Sequence, residues 1–208
     1  LIDTAKDYKK PRDKLRALRK QAPPVSTGFD PRAAQSPEGK RDLLAKAGEY
    51  EKVLSARHMR DHIVVSEAEI DPVTRQVVRY PTSLGDSGYH SGQNLAARAY
   101  KYGVTGEAND REMLKSAMLG VYNLMTIASA TNGTITRASD GQAVTGRPGL
   151  PVRAFVAEDD PRFADNSDVS VGRPDVYRYE GTIMGNPARR RYLIKAAVSR
   201  DQINGLML

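Results

Sequence analysis

The chain has 208 residues, a net charge of +7 and a hydrophobic content of 39%, enough for one packed domain with long loops. It has no cysteine, which excludes disulfides, thiolate metal sites and a cysteine nucleophile. No apolar run is long enough to span a membrane. The positive charges are spread along the chain without zinc-finger or RNP motifs, so no nucleic-acid partner is predicted.

Residues 1–35 are predicted to form a basic, Pro-rich N-terminal arm. Lysines and arginines are concentrated between residues 9 and 20, and Pro23, Pro24 and Pro31 interrupt any long helix after them. The arm is a candidate surface for a protein partner. Residues 36–208 are predicted to form a single domain.

That domain is predicted to begin with a helix and two β-like segments. Ser36 followed by Pro37 is typical of a helix start, and apolar residues recur at helical spacing to about residue 57. Residues 63–65 and 76–80 are rich in β-branched side chains and are separated by turn residues.

A helical hairpin is predicted next. The spacing predicts one helix over residues 90–104 and another over residues 109–130, with a short turn between them. Gly106 follows the first helix, at a place that suits a left-handed cap.

Four short β segments and a last helix complete the predicted elements. The β segments lie around a turn rich in Gly and Pro and in a hairpin across Gly185: residues 134–137, 152–156, 176–183 and 192–197. The last helix begins at Ser199 and has no stop signal before residue 208. The domain is therefore expected to be truncated at its C-terminus, with further hairpins in a longer protein.

Four strings of residues carry a resemblance to a known family. They are Gly-Asp-Ser-Gly-Tyr-His-Ser-Gly at 85–92, Tyr-Gly-Val-Thr-Gly at 102–106, Gly-Leu-Pro-Val-Arg at 149–153 and Ser-Arg-Asp-Gln-Ile-Asn-Gly-Leu at 199–206. Over residues 58–208 the chain resembles bacterial proteins of the six-hairpin glycosidase-like superfamily. The resemblance implies a mainly α fold: a partial (α/α) toroid of helical hairpins with short inserted β hairpins.

Asp86 and Asp201 are the candidate catalytic carboxylates. Each stands at the start of a predicted inner helix, and helix starts in a toroid converge on one face, so the two could serve as acid and base in glycoside cleavage. Alternatively, each simply caps its helix. His90 could orient Asp86 or act as a general base, or it could be a buried, hydrogen-bonded histidine.

The candidate substrate-binding residues are Tyr89, Arg137, Arg153 and Gln202. An arginine can clamp a sugar carboxylate, but Arg137 and Arg153 could instead pair structurally with Asp140 or Glu158. His58 and His62 have the spacing of a zincin helix without its glutamate. No metal and no cofactor is predicted.

The expected function is that of a carbohydrate-active, hydrolase- or lyase-like domain that acts on or binds a polysaccharide or oligosaccharide. The alternative is a non-catalytic structural or binding subunit of an extracytoplasmic assembly. The complete lack of tryptophan favours the alternative, because sugar sites commonly stack pyranose rings on aromatic side chains. The expected location is the periplasm or the cell surface.

Overall fold

A computed structural model describes residues 35–82 and 84–207, without the side chain of Gln202. The arm predicted for residues 1–35 lies outside the described residues, except for its last residue, and so does its predicted partner surface. Contacts divide the chain into two units at the boundary between Tyr50 and Glu51. The elements that position the candidate sites all belong to the second unit.

Four α-helices occur in the described part of the chain: α1 (Pro37–Val53), α2 (Ser87–Thr105), α3 (Ala108–Thr126) and α4 (Arg200–Leu206). The Ser36 hydroxyl accepts a 3.0 Å hydrogen bond from the Gly39 N–H at the start of α1, as predicted from the sequence. Gly106 ends α2 with a φ of 64°, which glycine adopts without strain. No helix among the described residues is long and apolar enough to cross a membrane.

The strands of the described residues form three antiparallel sheets. Two are small: β1 (Met59–Arg60) with β2 (Ile63–Val64), and β3 (Glu69–Ile70) with β4 (Val77–Arg79). The third has five strands in the order β6-β5-β8-β9-β7. Its members are β5 (Gly133–Arg137), β6 (Ala143–Val144), β7 (Ala154–Ala157), β8 (Val176–Ile183) and β9 (Asn186–Lys195).

The mainly α prediction was wrong. The described chain is a mixed α/β structure built on a five-stranded antiparallel sheet with four helices, not a partial (α/α) toroid with small β insertions. The segments predicted as separate hairpins join into one sheet because β5 pairs with β8 and β7 pairs with β9. These pairings connect strands about 40 residues apart, which local periodicity does not reveal.

The core lies between the five-stranded sheet and the elements around it. Leu124 of α3 and Phe155 and Tyr192 of the sheet are fully buried, and they belong to one apolar cluster. Tyr80, after β4, stacks on Phe163 with 4.7 Å between ring centroids. The core therefore ties the region before α2 to the sheet, which fixes the start of α2.

Lys195, at the end of β9, is a buried cation. Its side chain is 2% exposed, and its Nζ lies 2.9 Å from the Asp175 carboxylate. Burial alone would raise the pKa of Asp175, but Lys195 and Arg173 outweigh burial and hold the pKa below its ordinary value. The ion pair therefore favours the folded state wherever Asp175 is ionised.

We predict that Asp175→Asn destabilises the protein by about 2 kcal/mol at pH 7, because it leaves Lys195 charged and buried without its counterion. Because the folded-state pKa of Asp175 is depressed, the difference should be complete above the unfolded value of about 3.9 and should shrink as pH falls through the folded value. Urea unfolding of wild type and variant at several pH values measures it. Asp140→Asn, which breaks an exposed pair, is the control, and equal losses in both variants would contradict the account.

Candidate functional site

Asp86 occupies the position just before α2, yet its carboxylate does not cap the helix. The Asp86 side chain is exposed and makes no capping hydrogen bond. Its main-chain carbonyl accepts a 3.0 Å hydrogen bond from the His90 N–H. The Gly88 N–H donates a 3.0 Å hydrogen bond to the Arg153 carbonyl. This bond connects the first turn of α2 to the segment that precedes β7. Asp86 is thus held in place by its backbone, with its carboxylate directed to solvent.

Two glycines bring α2 and α4 into direct backbone contact. A Cβ at Gly92 would lie 1.7 Å from the Gly205 carbonyl oxygen, and a Cβ at Gly205 would lie 2.5 Å from the Tyr89 Cα. No side chain fits at either position unless the helices separate. The sequence therefore specifies this crossing through the absence of two side chains.

The same contacts show that α4 runs in the same sense as α2. In a helix the Cβ leans toward the N-terminus, whereas the carbonyl points toward the C-terminus. The Cβ side of Gly205 meets Tyr89, and its carbonyl side meets Gly92, three residues further along α2. The first turns of α2 and α4 therefore lie at the same end of the helix pair.

Asp201 lies in that first turn of α4 and is exposed. The helix begins after Ser199, whose side chain makes no capping hydrogen bond. Asp86 and Asp201 thus lie at the same end of the α2–α4 helix pair, and this end is called the carboxylate end below. Gln202 follows Asp201 in the chain, but its side chain is outside the described part.

The other predicted residues near α2 have mixed placements. Arg153 reaches the carboxylate end through its main-chain contact with Gly88. Tyr89 packs against Gly205, and the Tyr89 hydroxyl accepts a 2.7 Å hydrogen bond from the Gln93 side chain. The Tyr89 ring is therefore part of the contact between the two helices. The His90 ring lines a shallow cleft with His58 and Val65, rather than hydrogen-bonding to Asp86.

Arg137 is apart from the carboxylate end. In the sheet, Arg137 pairs with Tyr177, Tyr177 with Ile194, and Ile194 with Phe155. Three strand spacings, about 14 Å, therefore separate Arg137 from the strand that follows Arg153. The Arg137 guanidinium contacts the Asp140 carboxylate at 2.6 Å, which is the structural pairing considered as the alternative.

A second cleft, which the sequence did not indicate, lies at the turn between β1 and β2. The turn residues Asp61 and His62 have φ values of 44° and 71°, as in a type I′ hairpin turn, where Asn and Gly are usual. A Cβ at Gly120 of α3 would lie 2.0 Å from the His62 carbonyl oxygen, and the His62 ring contacts Ser116 at 2.9 Å. Helix α3 thus packs closely against this turn, whose two residues, an Asp and a His, are of types that adopt positive φ more often than most.

The cleft has a volume of about 460 Å³ and is lined by Arg60, Asp61, Ala157, Asp160, Arg162 and Arg190. Burial raises the pKa of the Asp61 carboxyl. The Nε of Arg60 and the hydroxyl of Tyr192 are buried without a hydrogen-bond partner among the described residues. Burial, together with the negative charge of Asp61, raises the pKa of Tyr192 to about 12.

The histidines are not arranged as metal ligands. His58 Nδ1 lies 2.8 Å from the Val65 carbonyl oxygen, and His62 Nδ1 contacts Ser116. Within residues 35–82 and 84–207, no three His, Cys, Asp or Glu side chains are grouped so that they could hold a metal ion.

We predict that Tyr192→Phe stabilises the protein by about 1 kcal/mol, because it removes a buried hydroxyl that lacks a partner. Tyr179→Phe is the matched control, because Tyr179 pairs with Tyr192 across the strands and is also buried. Unlike Tyr192, it donates a 2.7 Å hydrogen bond from its hydroxyl to the Thr182 carbonyl. This control should lose about 1 kcal/mol. Thermal unfolding of both variants measures these changes in stability. A lower stability of Tyr192→Phe would contradict the prediction and would show that the Tyr192 hydroxyl has a hydrogen-bond partner in solution.

No protein-family model, curated protein or solved structure matches the chain. Two groups of side chains are therefore the candidates for a functional site: the carboxylate end, and the cleft at the Asp61–His62 turn, called the Asp61 cleft below. The carboxylate end contains two exposed acids at parallel helix starts, with the main chain of Arg153 beside them, and the Asp61 cleft is lined mainly by charged side chains.

Proposed function

We propose that the carboxylate end binds a polysaccharide or oligosaccharide and that Asp86 and Asp201 act on it as an acid/base pair. The observation that carries the proposal is the parallel crossing at Gly92 and Gly205, which places both carboxylates at one end of the helix pair. Neither helix start uses a side chain as a cap. Both carboxylates are exposed and can reach a ligand.

Two carboxyl groups suit glycan cleavage because one can protonate the leaving oxygen while the other activates water or removes a proton. Lyase chemistry on a uronic acid needs the same kind of pair, together with a cation that binds the sugar carboxylate. Arg153 is the arginine that the backbone brings to this end. Gln202 remains a predicted contact, whereas Arg137, bound to Asp140, is left out of the proposed site.

The resemblance to bacterial six-hairpin glycosidase-like proteins supports a carbohydrate substrate, and it supports a location in the periplasm or at the cell surface. The toroid that the resemblance implied is not the fold of the described chain, and the support is limited to the strings at the start of α2 and over α4. The strings Gly-Asp-Ser-Gly-Tyr-His-Ser-Gly and Ser-Arg-Asp-Gln-Ile-Asn-Gly-Leu supply the two carboxylates and both glycines of the crossing.

The test is a panel of neutral and uronic-acid polysaccharides incubated with the full chain. Release of reducing ends reports hydrolysis, and ultraviolet absorbance of an unsaturated product reports elimination. We expect turnover of at least one polymer by the wild type and none by the Asp86→Asn/Asp201→Asn double variant. If the wild type binds a polysaccharide without cleaving it, the non-catalytic binding subunit is favoured. Turnover by the double variant would reject the acid/base pair.

A further inference from the structure

An apolar recess lies on one face of the five-stranded sheet, and it shares no residue with the carboxylate end or the Asp61 cleft. Four neighbouring strands, β6, β5, β8 and β9, each contribute one side chain to it. Val144 pairs directly with Ile135, and Tyr177 pairs directly with Ile194. Tyr177 lies two residues before Tyr179, the strand partner of Ile135, so all four side chains share one face of the sheet. The floor of the recess is therefore apolar and built on paired strands.

The segment between β6 and β7 forms a wall of the recess and is fastened to α3 by its backbone. The Arg147 N–H donates a 2.7 Å hydrogen bond to the Ala128 carbonyl, just beyond the end of α3. Further along the segment, the Val152 N–H donates a 2.8 Å hydrogen bond to the Leu124 carbonyl. These two bonds fix the position of the wall within the fold. A largely preformed recess of this kind is typical of small-molecule sites.

The size of the recess limits the group that it can hold. Its volume is about 130 Å³, and an apolar cavity of roughly 150 Å³ accepts one benzene molecule. The recess is therefore suited to a phenyl ring or a branched alkyl group. Leu150 lines it and is still 43% exposed, so an occupant would remove further apolar surface from water, which favours binding.

One cation stands beside this apolar surface. Among the described residues that line the recess, Arg147 carries the only charge. The Arg147 side chain is exposed, and no acidic side chain in the part of the chain that the structure describes is paired with it. Arg137, by contrast, is bound to Asp140 at 2.6 Å. An arginine without a counterion next to an apolar recess is complementary to a carboxylate attached to an apolar group.

We propose that this recess binds a small free carboxylate whose other end is a phenyl ring or a branched alkyl group, with the apolar end on the sheet and the carboxylate on Arg147. Burial of the apolar end supplies most of the affinity, and Arg147 supplies the preference for an anion. The carboxylate stays at the solvent-exposed rim, so neither charge has to be buried. The proposal does not rest on the polysaccharide function, because it involves none of the residues at the carboxylate end.

The probes are phenylacetate and isovalerate, each compared with its neutral amide, which has nearly the same shape without the charge. Saturation-transfer NMR on the full 208-residue chain detects binding, and titration gives Kd. Ligands of this size are expected to bind with a Kd on the order of millimolar. We expect at least one of the two acids to bind, and its amide to bind about tenfold more weakly.

Arg147→Gln tests the role of the guanidinium. Because Arg147 is exposed, the variant should fold, and it should bind the acid about tenfold more weakly while binding the amide as the wild type does. The preference for the acid over the amide should therefore disappear. Arg111→Gln is the matched control: Arg111 is an exposed arginine in the first turn of α3, about 25 Å along the chain of helical turns from Ala128, and its replacement should change neither affinity.

Ala196→Leu tests the recess itself. Ala196 lines the recess and follows β9 directly, two residues after Ile194 and therefore on the same side. A leucine there should occupy the space, and binding of both the acid and the amide should be lost. Thermal unfolding checks that the variant is folded, and the Arg147→Gln comparison decides the proposal if it is not.

The proposal is overturned by any of three results: no binding of either acid, equal binding of acid and amide by the wild type, or an unchanged preference for the acid in Arg147→Gln. Tighter binding of N-acetylglycyl-phenylalanine than of phenylacetate would also overturn it, in favour of a peptide C-terminus. Carboxylate binding without turnover of any polysaccharide would support this proposal and reject the acid/base pair. Turnover without carboxylate binding would do the reverse.

Discussion

Gly92→Ala is expected to separate α4 from α2. The new methyl group would lie 1.7 Å from the Gly205 carbonyl oxygen, and backbone cannot yield as a flexible side chain does. Overpacking of this kind costs about 3 kcal/mol, which a seven-residue helix at the end of the described chain cannot absorb locally. We therefore expect α4 to detach from α2 while the sheet stays folded.

Hydrogen exchange of the α4 amides measures the effect, and we expect their protection to be lost in Gly92→Ala. Gly103→Ala is the matched control in the same helix, because a Cβ there meets nothing within 4 Å. This control should stabilise the protein by up to about 1 kcal/mol, the usual gain of alanine over glycine in a helix. Retained protection of α4 in Gly92→Ala would contradict the close crossing.

Asp86→Asn and Asp201→Asn, as single variants, are each expected to reduce polysaccharide turnover by about 10³-fold, the typical contribution of a general acid or base. The amide keeps the size of the side chain but can neither give nor take a proton. Since an acid and a base act as one unit, the double variant should be little slower than either single variant.

Glu112→Gln is the control for the two singles. Glu112 is an exposed carboxylate on α3, paired with Lys115 at 2.7 Å, so its replacement should leave turnover unchanged. Thermal unfolding checks that all variants are folded. A loss of less than about tenfold in both single variants would assign Asp86 and Asp201 to binding or to surface charge rather than to proton transfer.

The helices could be predicted from the sequence more closely than the sheet. Gly106 marked the end of α2, and Ser199 marked the start of α4 within one residue, because caps are local signals that depend on a few adjacent residues. The hairpin of β8 and β9 could also be predicted, because its two strands are adjacent in the sequence. The pairing of β5 with β8 could not, because a long stretch of chain separates the two strands and only the folded chain brings them together.

The two clusters differ in the same way. The positions of Asp86 and Asp201 at helix starts could be predicted because each precedes an apolar helical pattern. Their convergence on one face was expected from a toroid, which is not the fold of the described chain. The close contact at Gly92 and Gly205, which brings the two helices together, was not predicted. The Asp61 cleft could not be predicted at all. Its turn lacks the usual Asn-Gly signal, and two residues that line it, Ala157 and Arg190, lie on the paired strands β7 and β9, which only the folded chain brings together.

The parallel sense of α2 and α4 is the claim on which the carboxylate end depends, and cross-linking tests it most directly. The natural chain has no cysteine, so Asp86→Cys/Asp201→Cys introduces the only two thiols for a short bismaleimide linker. Ala96→Cys/Asp201→Cys is the comparison, because Ala96 lies one turn beyond Gly92 on the same face of α2. We predict fast intramolecular cross-linking of the 86–201 pair and little of the 96–201 pair, whereas the reverse order would show antiparallel helices and would separate the two carboxylates.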